Sequence, residues 1–137
     1  MHASTVAIDL AKEVFELAFA DAQGRIIERK RLSRRAFIRS LETRPPLRVL
    51  MEACGGAHCW ARRFQRQGHA VRLLPARDVR PYVRGNKTDR NDVAGILEAD
   101  RCAGIAPVPV KTPEQQGIQA LHRLREHLKA ERTATLN

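Results

Sequence analysis

Hydrophobic and polar residues alternate along the first third of the chain, and this alternation predicts three short strands. We expect the strands over residues 5–9, 14–19 and 25–32. Residues 21–24, Asp-Ala-Gln-Gly, have the composition of a hairpin connection between the second and third strands. The chain should therefore open with antiparallel neighbours in one sheet.

Beyond these strands, helical and extended patterns alternate. Ser33 and Gly68 are good helix boundaries, because serine caps N-termini and glycine ends helices. The elements expected here are a helix over 34–41, a strand over 47–52, a helix over 57–67, a strand over 70–74 and a helix over 89–103. The arginine-rich residues 75–88 should be irregular. The order βββαβαβα predicts an α/β fold with a mixed sheet, in which three antiparallel strands precede alternating helices and parallel strands.

The last segment of the chain predicts one more helix, because Thr112 followed by Pro113 is a strong helix start. Apolar residues then recur at helical spacing: Ile118, Leu121, Leu124 and Leu128. The leucines would either pack on the domain or form a seam with a second copy, and the sequence does not separate these alternatives.

The chain is strongly basic, with 25 Lys and Arg residues against 15 Asp and Glu and a formal net charge of +10. Such a charge favours a polyanionic partner, because each phosphate neutralised by Lys or Arg releases counterions. No apolar run approaches the roughly 18 residues of a membrane helix, and no signal-peptide pattern is present, so we expect a cytoplasmic protein with a nucleic-acid partner. The three cysteines lack C-x-x-C spacing, which argues against disulfides and zinc.

Four carboxylates stand out against this basic background. Asp9 and Glu52 each close an apolar strand, and Asp89 and Asp92 lie three residues apart at a helix start, so they project to one side. Four acids converging at one sheet edge would repel one another unless hard cations neutralised them. Mg²⁺ or Mn²⁺ suits oxygen ligands, and two such ions can stabilise both oxygens of an in-line phosphoryl displacement.

Structural roles would also account for each acid taken alone. A strand-end aspartate is often a turn residue, Asp89 could be an N-cap, and Glu52 could pair with an arginine. His58 could reach the site from its helix, although ordinary packing is the simpler interpretation. Cys54 has no partner pattern that would make it a nucleophile. Spacing alone therefore leaves the metal site and the structural roles open.

Three blocks of the chain together resemble a known family. Residues 7–12, 51–58 and 86–94, in this order, are similar to blocks of the DEDD transposases of the insertion sequence one-ten family, and residues 108–116 resemble that family's next segment. The resemblance covers nearly the whole chain. It implies an RNase H-like, RuvC-like catalytic domain over residues 1–111. It also implies a catalytic and metal-binding tetrad made of Asp9, Glu52, Asp89 and Asp92.

The resemblance further implies a DNA transposase or site-specific recombinase that cleaves and transfers DNA strands with two Mg²⁺ or Mn²⁺ ions. Members of this family continue through a coiled coil into a second domain that supplies a nucleophilic serine. Residues 112–137 are then the start of the coiled-coil helix, through which the full-length protein is expected to form homo-oligomers. We expect the chain to be truncated, because Ser4, Ser33 and Ser40 do not match the second domain. A guide RNA, used by some relatives, is a hypothetical further partner.

Basic residues around the last acid block are the candidates for nucleic-acid binding: Lys87, Arg77, Arg80, Arg84 and Arg90. The resemblance suggests that Lys87 contacts substrate phosphate. A wider arginine series is either a solvated face or a track for nucleic acid, and its density beside the acids favours the track. That series comprises Arg62, Arg63, Arg66, Arg72, Arg77, Arg80 and Arg84.

Two other functions compete with the transposase interpretation. An actin-like or sugar-kinase ATPase also opens with three strands and an early aspartate, but it requires a glycine-rich phosphate turn where this chain has Leu10, Ala11 and Lys12. A non-catalytic basic DNA- or RNA-binding module would explain the charge. It would not explain four acids placed among so many arginines.

Overall fold

The chain opens with three antiparallel strands in a computed structural model that describes residues 2–137. They are β1 (Thr5–Asp9), β2 (Val14–Ala20) and β3 (Ile26–Ser33). Asp21 holds the turn between β2 and β3, since its carboxylate accepts hydrogen bonds from two backbone N–H groups at 2.9 and 3.0 Å. Gly24 completes this turn at φ 81°, a conformation that favours glycine. The predicted antiparallel opening is confirmed.

Two parallel strands complete the sheet on the other side of β1. They are β4 (Arg48–Glu52), which pairs with β1, and β5 (Ala70–Leu74), which pairs with β4. The strand order is β3-β2-β1-β4-β5. Helices α1 (Arg34–Arg39) and α2 (Ala57–Arg66) connect the strands, and Gly68 ends the second connection at φ 89°. The chain is thus a mixed α/β fold with a five-stranded sheet, as predicted.

One face of the sheet is covered by α1 and α2 through aromatic side chains. The rings of Phe15 and Phe37 stack with centroids 4.2 Å apart, and Trp60 meets Phe37 edge-on at 4.6 Å. Phe64 lies 5.7 Å from the Phe37 ring. Burial of such large apolar groups is the main favourable term in folding, so this cluster anchors both helices to the sheet.

The other face of the sheet is covered by helix α4 (Asp89–Asp100). Ala7, Ala18 and Leu50 of the sheet are fully buried against this helix, in one cluster with Ile96. The small alanine side chains on β1 and β2 let α4 approach the sheet closely. That approach brings the first turn of α4 near the end of β1.

The segment over residues 75–88 corrects the prediction of an irregular loop. It contains the short helix α3 (Ala76–Val79) and a 3-10 turn over Arg80–Tyr82. Val79 is buried in the same cluster as α4, and this burial selects a helical turn from an otherwise polar segment. The prolines that suggested a loop stand at helix starts, where a missing N–H costs nothing.

Helix α4 also ends earlier than predicted, at Asp100 rather than residue 103. The Asp100 carboxylate accepts hydrogen bonds from Arg48 at 2.7 Å and from Arg72 at 2.8 Å. These arginines lie on β4 and β5, so the end of α4 is tied to the parallel half of the sheet. That tie is a long-range contact and leaves no local signal in the sequence.

Helix α5 (Pro113–Leu136) begins with the predicted capping box, in which Thr112 and Gln115 exchange side-chain and backbone hydrogen bonds. Leu121, Leu124 and Leu128 are 53–67% exposed, so the domain does not cover this apolar stripe. The alternative in which the leucines pack on the domain is wrong. Across residues 2–137, no helix combines the length and apolarity needed to cross a bilayer.

Candidate metal centre

Three of the four predicted acids meet at one edge of the sheet. Asp9 stands at the end of β1, and Asp89 and Asp92 stand in the first turn of α4. One carboxylate oxygen from each lies within 4.8 Å of the others. Asp9 and Asp92 are half-buried, whereas Asp89 is exposed. Acids separated by about eighty residues in the chain therefore share one small volume.

The start of α4 explains how both of its acids reach this edge. Thr88 is the N-cap, because its hydroxyl accepts a hydrogen bond from the backbone N–H of Asn91 at 3.2 Å. The Asn91 side chain donates to the carbonyl of Asn86 at 2.7 Å and fixes the preceding loop. The alternative in which Asp89 caps the helix is wrong, so its carboxylate remains available. Both acids lie where the helix dipole favours negative charge.

Glu52 lies beside this group without joining its closest set. It ends β4, which pairs in parallel with β1, with Met51 opposite Ile8. The Glu52 side chain is exposed, and within residues 2–137 its carboxylate forms no ion pair with an arginine. The alternative of simple arginine pairing therefore finds no support in the described structure.

The electrostatics of the site reflect the crowding of its acids. The pKa of Asp9 is raised from 3.8 to about 6, chiefly by burial and further by the charges of Asp92, Asp89 and Glu52, against the opposing effect of Lys87. Burial and the charge of Asp92 also raise the pKa of Glu52. Ionising all four groups together is unfavourable without a compensating positive charge.

The donor set determines which cation could fill that role. Carboxylate oxygens are the ligands of hard divalent ions such as Mg²⁺ and Mn²⁺, which keep several of their waters. Asp9, Asp89 and Asp92 have the spacing to share one ion, and Glu52 lies close enough to this group for the charge of Asp92 to act on it. Such ions act as Lewis acids on phosphoryl oxygens.

Basic side chains surround the acids on the loop side. Among them, the positive charge of Lys87 acts on both Asp9 and Glu52, so Lys87 lies at the site itself. The predicted nucleic-acid-binding residues are all exposed, namely Arg77, Arg80, Arg84, Lys87 and Arg90. Hence the segment that leads into the acids of α4 offers positive charge to solvent.

Several arginines of the wider series bind partners within the protein. This corrects the prediction that the whole series forms a track for nucleic acid. Arg72 binds Asp100 and the carbonyl of Ile105, the latter at 2.7 Å. Arg62 donates to Gln116 at 2.8 Å, and Arg63 donates to Glu42 at 3.2 Å. These side chains tie elements together because their carboxylate and carbonyl partners come from distant segments. Of the series, Arg77, Arg80 and Arg84 are the exposed members on the segment that leads into the acids of α4.

His58 has the ordinary packing role that the simpler interpretation predicted. His58 is buried, and its Nδ1 accepts a hydrogen bond from the backbone N–H of Lys111 at 3.0 Å. Burial lowers the pKa of His58, and the positive charges of Lys111 and Arg62 lower it further, so the ring is kept neutral as this acceptor role requires. Cys54 is an exposed free thiol.

Gly95 is a residue of the site region that the sequence analysis missed. A Cβ at this position of α4 would lie 2.6 Å from Cγ2 of Val83 and 3.2 Å from its backbone. The glycine thus lets the loop that carries the basic residues lie against the helix that carries the acids. An unexplained glycine inside a helical pattern was the available signal.

Gly95→Ala should lower the free energy of unfolding by about 1–2 kcal/mol, because overpacking against Val83 outweighs the better helix propensity of alanine. Chemical denaturation would measure the change. Gly117→Ala in α5 is the matched control, since nothing lies within 4 Å of its added Cβ. The control should gain up to about 1 kcal/mol. Equal gains in both variants would contradict a close approach of Val83.

Comparison with known proteins identifies the family. A sequence model of the DEDD transposases of IS110 type, described as "Transposase", matches residues 6–137. A Pseudomonas aeruginosa protein named "Probable family 20 transposase" is 44% identical over 140 aligned residues, covering 100% of this chain and 40% of the relative. The transposase for insertion sequence element IS1111A of Coxiella burnetii is 41% identical and covers 95% of this chain and 36% of the relative.

A third relative agrees with these two. The transposase for insertion sequence element IS1328 of Yersinia enterocolitica is 38% identical and covers 99% of this chain and 41% of the relative. This chain spans about two fifths of the length of these relatives. The family model nevertheless extends over nearly all of this chain, and the chain therefore belongs to the IS110-type family of DEDD transposases.

Proposed function

We propose that the chain is the metal-binding catalytic domain of a DNA transposase, with an RNase H-like, RuvC-like fold. Asp9, Glu52, Asp89 and Asp92 would hold two Mg²⁺ or Mn²⁺ ions for DNA strand cleavage and transfer. The convergence of Asp9, Asp89 and Asp92 within 4.8 Å carries this proposal. The strand order and the family membership support it.

The residues of the chain have distinct tasks in this proposal. The carboxylates would hold the ions, which when bound would supply Lewis-acid chemistry at the scissile phosphate. Lys87 contacts a phosphate oxygen of the substrate, since its charge already acts on the acids. The arginines of residues 77–90 hold the DNA backbone and so position the scissile bond.

Further parts of the activity would come from outside these 137 residues. The attacking hydroxyl is proposed to be a serine of a second domain, which would make the metal centre half of a composite site. The exposed leucines of α5 would join copies of the full-length protein, because an exposed stripe at helical spacing is suited to a coiled coil. A guide RNA remains a proposed additional partner.

A metal-linkage experiment on this chain tests the proposal. Saturating Mg²⁺ or Mn²⁺ should stabilise the wild-type chain by about 2–3 kcal/mol at a hundredfold excess over its Kd. Asp9→Asn together with Asp89→Asn should abolish this response. Glu98→Gln, an exposed acid near the other end of α4, is the control and should keep it. An identical response of wild type and double mutant would rule out the carboxylates as the metal site.

Without metal, the crowded acids should destabilise the folded chain, so removing one of their charges should raise its stability. The pKa of Asp9 is raised to about 6, so the native state holds that proton more tightly than the unfolded chain. Metal-free wild type should therefore lose stability as pH rises from about 4 to 7. Asp9→Asn should be more stable than wild type by about 1–2 kcal/mol at pH 8, after discounting for partial exposure, and less pH-dependent. A destabilised Asp9→Asn at pH 8 would contradict acid crowding.

A non-catalytic basic module is the second candidate function. The exposed arginines and the charge of +10 favour it as far as binding alone is concerned. Such a module would bind nucleic acid yet show no stabilisation by Mg²⁺ beyond that of the tetrad variant. The linkage experiment therefore separates the two candidates.

A further inference from the structure

Strand β3 carries positive charge on the same face of the sheet as the metal centre. Asp9 of β1 lies opposite Glu16 of β2, and Glu16 lies opposite Arg31 of β3. Two residues along the strands, Ala7 of β1 lies opposite Ala18 of β2, and Ala18 lies opposite Arg29 of β3. Cross-strand partners project to the same side of a sheet, so Arg29 and Arg31 share the face that α4 covers.

A direct contact confirms that Arg29 projects to the face that α4 covers. Nη1 of Arg29 donates a hydrogen bond to the backbone carbonyl of Arg90 at 3.2 Å, in the first turn of α4. Lys30, between the two arginines, points to the opposite face, where it pairs with Glu28 at 3.0 Å and lies over the ring of Phe19. The odd positions of β3 therefore project to the face of the sheet that carries the carboxylates, and the even position does not.

Of Arg29 and Arg31, Arg31 is the one that is available to a ligand. It is exposed, and no carboxylate of residues 2–137 forms an ion pair with it, including Glu16 directly opposite. Two interstrand spacings of about 4.8 Å place its Cα roughly 10 Å from that of Asp9. An arginine side chain can span much of that distance. Arg31 can thus reach a phosphate group next to one held at the carboxylates.

Protection of the sheet edge is the competing explanation, since charged residues on an edge strand discourage pairing with other chains. Either face of β3 would serve that purpose. Edge protection does not account for the contact between Arg29 and Arg90, which makes the β3 row continuous with the basic loop over residues 77–90. The contact therefore links basic residues of β3 to the first turn of α4, which carries two of the carboxylates.

We propose that Arg31, supported by Arg29, binds the phosphodiester backbone of the DNA strand on the β3 side of the metal centre. The strand would then cross the acids from the basic loop to the edge strand, with a phosphate contact on each side. This inference rests on the proposed function, because it gives the path of the DNA through the same site. Bidentate recognition of phosphate suits arginine at this position.

The test compares two neighbouring residues of one strand. Arg31→Gln should weaken binding of the 137-residue chain to a 20-base single strand and a 20-base-pair duplex of mixed sequence about three- to tenfold. It should also reduce the slope of log affinity against log salt by about 1. Lys30→Gln removes the same charge from the opposite face and should leave the slope unchanged. Fluorescence anisotropy across a salt series, in Mg²⁺, measures both.

The outcomes separate this inference from the proposed function. If Arg31→Gln and Lys30→Gln behave alike, or if Arg31→Gln retains the wild-type slope, β3 is not a DNA contact. The metal response of Arg31→Gln should stay intact, since the carboxylates are unchanged. Failure of wild type to respond to metal would instead overturn the proposed function, whatever the β3 variants do.

Discussion

Asp92→Asn in a full-length transposase containing this chain should lower the rate of DNA strand cleavage by at least about 100-fold. Asp92 shares a 4.8 Å group with Asp9 and Asp89, and its charge also acts on Glu52. In the proposed site, loss of one ligand would weaken the binding of an ion that would contribute several kcal/mol to stabilising the transition state, and each 1.4 kcal/mol corresponds to a factor of ten. Cleavage of DNA carrying the element ends, followed on denaturing gels, would measure this loss.

The control for this result is Glu98→Gln on the same helix. Glu98 is exposed and pairs only loosely with Arg101, at 3.7 Å, so its removal changes the charge of α4 without touching the carboxylate group. Cleavage by this variant should stay within about twofold of wild type, as expected for a surface substitution. Wild-type cleavage by Asp92→Asn would show that the carboxylates do not form the catalytic site.

Replacing Arg80, Arg84 and Lys87 together by alanine should weaken DNA binding by the chain roughly 10- to 100-fold. All three side chains are exposed on the segment that leads into α4, and an exposed charged contact contributes about 0.5–1 kcal/mol. The slope of log affinity against log salt should fall by about 3, since each lost phosphate contact reduces it by about 1. A salt series of equilibrium titrations would give both quantities.

A charge-matched control comes from the opposite side of the sheet. Arg35, Arg39 and Arg66 are exposed on α1 and α2, so their joint replacement removes the same net charge away from the acids. This control should keep the wild-type slope if binding is local to the loop over residues 77–90. Equal losses in both triple variants would mean that net charge alone drives binding and that the loop is not the contact surface.

Local chemistry explains why so much of the fold could be predicted. The strand pattern of β1, the hairpin turn at Asp21 and the capping box at Thr112 depend on residues close together in the chain. Asp89 and Asp92 could likewise be predicted to lie together, because two residues three apart on a helix share a side. Pairing of the opening strands then follows from the short turn.

Several outcomes that the pattern did not predict involve partners far apart in the chain. Arg72 looks like a free surface charge until Asp100 is brought beside it, twenty-eight residues away. The segment around Val79 becomes helical because α4 buries that side chain. No local rule contains such contacts, since they exist only once the sheet has formed.

The sequence by itself determined the strands, the starts of the longer helices and the four acids, together with the basic segment that leads into the last two of them. Tertiary structure alone decided that Asp9, Asp89 and Asp92 meet within 4.8 Å while Glu52 lies outside this closest group. It also decided that Arg31 faces the same side as Asp9 and that Lys30 does not. The physical reason is that strand register and helix packing fix positions across the sheet, and these depend on the burial of many distant side chains at once.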